Sequence, residues 1–279
     1  MAGKKGLVMG VANERSIAWG IAKACHDQGA ELAFTFQGEA LEKRVRPLAN
    51  SIGAKIVTPC DVTNPQSIDA TFKEIEKRWG QLDFLVHAIA FSNKDELRGR
   101  YLDTSPENFA LTMNVSCYSF TAVAQRAVPL MKNGGSIVTL TYYGAERVIP
   151  HYNVMGVAKA ALEASTRYLA YDLGTQNIRV NCIAPGPVET EGYLDVLKQA
   201  GPDGKMTGYN VQELHCARKR AGKYRYPIYA RPAERQFLLD RRRGEPVVRA
   251  SEVEVQRADG GSLWVEDLAR PVHDSSGKV

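Results

Sequence analysis

A doubly wound α/β fold, a parallel sheet covered by helices on both faces, is predicted for this 279-residue chain, and three observations carry the prediction. Short apolar runs alternate with helix-length amphipathic segments, the pattern of a parallel sheet with crossover helices. The glycines and polar residues that stand out chemically fall just after the apolar runs, where such sheets hold their ligands. No apolar run approaches the roughly 20 residues that a membrane-spanning helix needs.

The elements follow in order. LVMGV (7–11) reads as the first strand, and SIAWGIAKACHDQ (16–28) has helical periodicity and stops at Gly29. ELAFTF (31–36) is the second strand, EALEKRVRPLANSI (39–52) a helix, and KIVTPCDV (55–62) the third strand. SIDATFKEIEKRWG (67–80) is an amphipathic helix closed by Gly80, and LDFLVHAIAF (82–91) is the fourth strand. A polar loop over 92–104 leads to one long helix over 108–131. GSIVTLTYY (135–143) is the fifth strand. A helix opening at Tyr152 runs to about Gly174, and IRVNCIAPGPVET (178–190) is a sixth strand with a Gly/Pro exit. The sum is a single domain of Rossmann type.

Composition narrows the class. Hydrophobic residues at 44% and charged residues at 24% are ordinary for a globular protein. The opening MAGKKGLVMGVA is too short in apolar length for a secretory signal. The five cysteines, Cys25, Cys60, Cys117, Cys182 and Cys216, are scattered without CxxC spacing, so free thiols and a cytoplasmic location are expected. No His/Cys cluster has metal-ligand spacing, and no metal is expected. Residues 1–191 carry 20 Lys+Arg against 19 Asp+Glu, whereas residues 192–279 carry 16 against 12, so the net charge of +5 sits mostly in the C-terminal third.

The strand exits suggest one dinucleotide. Gly10 provides a tight turn after the first strand, Ser16 an N-cap, and Gly20 a close helix approach. The helix N-terminus suits a pyrophosphate, though a plain strand–helix turn fits these residues as well. Gln37 follows the second strand, where NAD-binding folds often carry an acid for the ribose. Lys43 and Arg44 downstream are either solvated or partners for a 2′-phosphate. Asp61 after the third strand can accept from an adenine amino group or make a turn, and Ile89 after the fourth can pack on a flat ring.

HYNVMGVAK (151–159) places Tyr152 and Lys159 seven residues apart, on one face of a helix. Together with GVANERSIAWGIA, ELAFTFQ, CDV, VHAIAF, TYYGAERVIPHYNVMGVAKAALEAS and IRVN, this resembles the short-chain dehydrogenase/reductase superfamily, and within it the bacterial NADH-dependent enoyl-acyl-carrier-protein reductases. The Tyr-x6-Lys spacing, the divergent glycine loop and HAIAF in place of an Asn-Asn-Ala-Gly stretch mark that branch. The resemblance covers about residues 3–190. It implies Tyr152 as catalytic donor, Lys159 as ribose clamp and Tyr142 as active-site wall or second donor, with Tyr143 turned away by strand alternation. It implies cofactor contacts for NADH/NAD+ from Gly10, Ser16, Ile17 and Gln37, then from Asp61, Val62, Ile89, Lys159 and Val188. Ser92, Tyr142 and Tyr152 are the implied substrate contacts. Asn114 matches a position that shapes the helix near the site, or is simply a buried Asn bonded to backbone. Thr139 stands where ketone-reducing relatives carry serine, which weakens a ketone-reducing reading.

The expected activity is NADH-dependent reduction of the 2,3 double bond of an enoyl thioester in fatty-acid elongation. The alternatives are another member of the superfamily acting on a ketone or alcohol, and a nucleotide-binding protein without activity. The expected partners are acyl carrier protein and, by resemblance, three further copies in a homotetramer, with no membrane. Residues 192–279 form an atypical basic segment where a substrate lid and last strand are expected, and only ADGG (258–261) resembles the family ending. RKRAGKYRYPIYAR is either a solvated arginine-rich stretch or a surface for acidic carrier protein or nucleic acid, and nucleic acid is not expected.

Overall fold

A computed structural model describes residues 1–149 and 151–185 and, beyond them, the backbone of four short strands. The first part runs β1 (Lys5–Met9), α1 (Ile17–Asp27), β2 (Glu31–Phe36), α2 (Gly38–Ser51), β3 (Ile56–Pro59), α3 (Pro65–Trp79) and β4 (Phe84–His87). It continues with α4 (Lys94–Arg98), α5 (Pro106–Met113), α6 (Ser119–Ala127), β5 (Gly135–Leu140), α7 (Asn153–Gly174) and β6 (Ile178–Ile183). The six strands are all parallel, in the order β3-β2-β1-β4-β5-β6. The strand order reverses between β1 and β4, so a crevice is expected outside their carboxyl ends.

Both faces of the sheet are packed, which is why its central strands read as unbroken apolar runs rather than alternating ones. Along β1, Leu7 and Met9 point into a core with Ile75, Phe120, Val123 and Leu162 from α3, α6 and α7. Val8 points the other way, into a core with Trp19, Ala22, Val45 and Ala49 from α1 and α2. The helices are set by local signals. Asn64 caps α3 by accepting from the N–H groups of Gln66 and Ser67, Pro65 opens the helix, and Gly80 ends it at φ 66°.

The expected α/β architecture is present, with several element ends displaced. β1 lies two residues earlier than read, because Gly10 leaves the strand at φ 96°. A Cβ there would stand 2.1 Å from the carbonyl oxygen of Ala88, so only glycine fits. β3, β4 and β5 end at Pro59, His87 and Leu140, and the apolar residues beyond them line loops. The loop 92–104 contains α4 and a 3-10 turn over Tyr101–Asp103. The helix read over 108–131 contains a π-helical turn at Asn114–Tyr118 and closes in a 3-10 turn at Val128–Leu130, where Pro129 lacks an N–H.

The chain forms two units, Met1–Ile183 with Glu189–Gly192, and Ala184–Val188 with Tyr193–Val279. In the second, the described residues make two antiparallel pairs, β7 (Lys205–Met206) with β8 (Tyr209–Asn210) and β9 (Val253–Gln256) with β10 (Ser262–Val265). ADGG, RKRAGKYRYPIYAR, Cys216 and Val188 lie outside the described residues.

Candidate active site

Four of the expected cofactor residues, Gly10, Ser16, Ile17 and Ile89, follow the exits of β1 and β4. Gly10 turns the chain out of β1 with no side chain to fill the space. Ser16 occupies the N-cap position of α1, but its hydroxyl donates back to the carbonyl of Asn13 at 2.7 Å and caps no helical N–H. Ile17 is the first residue of α1. At the next exits, the Gln37 side chain hydrogen-bonds the Asp61 carboxylate. Burial opposes ionisation of Asp61, but the hydroxyl and N–H of Thr63 and the Gln37 side chain outweigh it and hold the carboxyl below its usual range. Val62 is buried beside it, and Ile89 is partly buried after β4. The α2 cation Lys43 pairs with Glu39 at 2.8 Å, both well exposed, so it behaves as a solvated helix residue.

The catalytic candidates converge at the exit of β5. Lys159 is only 6% exposed, and its Nζ donates to the carbonyl of Leu140, the last residue of β5, at 2.6 Å. Burial lowers its pKa to about 8, partly offset by the nearby Cys117, Glu163 and Cys182 side chains. The ring of Tyr142 meets that of Tyr152 edge-on, with centroids 5.0 Å apart. Tyr152 precedes the first residue of α7, and its ring lies against Gly144, where an added Cβ would come within 2.4 Å of Cδ1. Tyr143 opens a 3-10 turn rather than continuing the strand, and its ring faces the guanidinium of Arg147 at 5.8 Å. Strand alternation therefore does not govern its direction.

The expected substrate residue Ser92, and Thr139, have their hydroxyls engaged inside the fold. Ser92 is buried, its hydroxyl accepting from Thr112 at 2.8 Å and lying 3.3 Å from Asn108 Oδ1. Thr139 is also buried, 3.0 Å from the carbonyl of His87 and 3.2 Å from the Nδ1 of that ring. The other ring nitrogen of His87 lies 2.8 Å from Ser119 Oγ. Burial, reinforced by the Lys159 charge, pushes His87 down to about 3 and keeps it neutral. Asn114 opens the π-helical turn in the segment packed against α7. Among the described residues no cluster of three or more His, Cys, Asp or Glu can hold a metal.

Sequence reasoning did not single out Asn153, Gly144 or His87. Gly144 and His87 act through close packing and long-range hydrogen bonds, which leave no local pattern. Asn153 had a weak signal, being an asparagine beside the expected catalytic tyrosine, a residue type that tolerates positive φ.

A six-stranded sheet of this order, with an empty-sided glycine turn after β1 and a Tyr–Lys pair at the exit of β5, defines a nucleotide-binding oxidoreductase of the short-chain dehydrogenase/reductase type. The family model for enoyl-(acyl carrier protein) reductase matches residues 10–210. A curated relative from Rhizobium meliloti, "Enoyl-[acyl-carrier-protein] reductase [NADH] 1", is 67% identical over 190 residues, covering 68% of this chain and 70% of the relative. The crystal structure of the Anaplasma phagocytophilum enoyl-acyl-carrier-protein reductase, solved with NAD, aligns with TM-score 0.67 and 55% identity over 79% of this chain and 85% of the other. A Bacillus cereus enoyl-acyl carrier protein reductase, solved with NADP+ and an indole naphthyridinone, aligns with TM-score 0.68 and 46% identity over 78% and 89% of the two chains. The chain belongs to the enoyl-(acyl carrier protein) reductase family.

Proposed function

We propose that this chain reduces the 2,3 double bond of an enoyl thioester presented by acyl carrier protein, with NADH as reductant. The observation that carries the reading is the buried Lys159 held at the last carbonyl of β5, with Tyr142 two residues beyond that strand end and its ring partner Tyr152 immediately before α7. The family supports the same reaction. The residues fit the dinucleotide: the Gly10 turn leaves room for a pyrophosphate, Gln37 and Asp61 suit the adenosine end, and Lys159 suits the nicotinamide ribose. When bound, the nicotinamide supplies hydride to the β carbon of the substrate.

Negative charge then builds on the thioester oxygen. The Tyr152 phenol donates a hydrogen bond to that oxygen, and a donor of this kind lowers the barrier by ~3–4 kcal/mol. The Lys159 ammonium favours a more acidic phenol and holds the ribose. Tyr142 walls the site and orients the Tyr152 ring edge-on. The α carbon takes its proton from solvent or a relay. Thr139 supports the carbon–carbon rather than the ketone reaction, since its hydroxyl is taken up inside the sheet with His87. NADH is favoured over NADPH because Gln37 is neutral and Lys43 is paired with Glu39.

The finer partner reading is a homotetramer. Exposed Val157, Tyr168 and Tyr171 form one stripe on α7, at 37%, 74% and 84% exposure, and such rings suit a partner surface. A cytoplasmic location accords with four free cysteines among the described residues and with no described helix long and apolar enough to cross a membrane.

The test is the rate of NADH oxidation with an enoyl thioester, with NADPH and a 3-ketoacyl thioester as comparisons. Turnover on the enoyl substrate is expected, and preferential turnover on the ketone would overturn the reading. Tyr152→Phe is expected to lower kcat by about two orders of magnitude while leaving NADH affinity nearly unchanged.

A further inference from the structure

Tyr152 sits between two residues in left-handed backbone conformation, His151 at φ 61° and Asn153 at φ 37°. Such conformations cost a side-chain-bearing residue free energy and persist where the surroundings over-determine them. Around Asn153 the surroundings are specific. Its amide nitrogen Nδ2 lies 3.1 Å from the carbonyl oxygen of Glu96, 3.1 Å from that of Leu97 and 2.7 Å from that of Gly99. These belong to the end of α4, where a helix leaves its last carbonyls without intrahelical donors. Two amide protons are thus shared among three helix-end carbonyls.

The segment they hold is itself fastened from the other side. The Glu96 carboxylate accepts from the Ser105 N–H at 2.9 Å and the Ser105 hydroxyl at 2.8 Å, and these bonds keep the Glu96 pKa low. Ser105 caps α5 by accepting from the Asn108 N–H at 3.2 Å. The Asn93 N–H donates to Asn108 Oδ1 at 2.9 Å. So α4 is a platform bolted to α5, and Asn153 bolts the start of α7 to that platform, one residue from the phenol.

We propose that Asn153 is a positioning residue: its amide, gripped by the α4 carbonyls, fixes the turn that aims the Tyr152 ring at the substrate oxygen. The inference rests on Tyr152 being the donor to that oxygen. A misplacement of about 1 Å in such a donor is enough to cost on the order of a hundredfold in rate.

The test uses Asn153→Asp and Asn153→Gly in the full chain. Aspartate keeps the size and the tolerance of positive φ but presents acceptors to three carbonyls. Glycine removes the amide while relaxing the backbone, so it decides the matter where the aspartate variant does not fold. Both are expected to lower kcat by ~10–100-fold, with the Kd for NADH changed by less than about twofold. In a Tyr152→Phe background, either change is expected to add little further loss, because the two residues act as a unit. Undiminished kcat in the folded variants overturns the proposal, as does a loss that persists at full size in the Tyr152→Phe background. Should Tyr152→Phe itself retain full activity, the catalytic assignment falls and this inference with it. Should Tyr152→Phe be impaired and the Asn153 variants not, only the role of Asn153 falls.

Discussion

At the scale of single residues, Lys159 shows how a fold tunes one amine. Its stem is enclosed by the packing of α7 on the sheet, and its head finds the Leu140 carbonyl. Burial leaves its pKa at about 8, below the ordinary 10.5. The unfolded chain therefore binds the proton more tightly, and between these two values stability rises with pH, while the cost of burying the charge is fully present below about 8. For the proposed ribose clamp the sign is opposite, since the form that would hold the ribose is the ammonium. The affinity of the wild-type chain for NADH is expected to weaken as pH rises through about 8, and Lys159→Met is expected to bind weakly without that step. Fluorescence titration across that range checks it; a step that survives in Lys159→Met would remove the assignment. The family resemblance, rather than the Tyr–Lys spacing alone, made this pair legible in the sequence. The partners were not, because a backbone carbonyl such as that of Leu140 carries no residue identity.

At the scale of elements, helices were easier to read than strand exits. The end of α3 was read at Gly80, whereas its start, set by Asn64 and Pro65, was read two residues late at Ser67; Asn64→Ala is expected to cost about 1 kcal/mol in urea unfolding. HAIAF stays apolar after β4 has ended at His87, so hydrophobic pattern alone could not show where the sheet stops and the crevice begins. The π-helical turn at Asn114 was missed for a related reason, since no glycine or proline within Asn114–Tyr118 marks the change and 108–131 was read as one uninterrupted helix. Gly10 is the element boundary with the largest expected effect. Gly10→Ala puts a methyl into the Ala88 carbonyl at φ 96°, and a loss of more than about 2 kcal/mol in the same unfolding measurement is expected.

At the scale of the whole molecule, the sequence resemblance covers about residues 3–190, beside a curated relative 67% identical over 190 residues and a family model that matches residues 10–210. The sheet order and the candidate site both lie within that span, which is why so much of each could be read in advance. Assembly belongs to this scale as well. If the α7 stripe joins copies of the chain, Tyr168→Asp with Tyr171→Asp is expected to reduce the mass measured by light scattering to that of a smaller species, and an unchanged mass would assign the contact to another surface.

The His87 cluster joins β4, β5 and α6 through one ring. A neutral imidazole offers one N–H and one lone pair, yet each of its two hydroxyl neighbours also has a backbone carbonyl within reach, at 3.0 Å for Thr139 and 2.6 Å for Ser119. The proton inventory is therefore one short of serving both carbonyls: one hydroxyl must turn its hydrogen to the ring and forgo its carbonyl. The interior of this sheet holds two alternative bookings of the same protons, one for each tautomer, and the nitrogen chemical shifts of His87 would reveal which one the fold keeps.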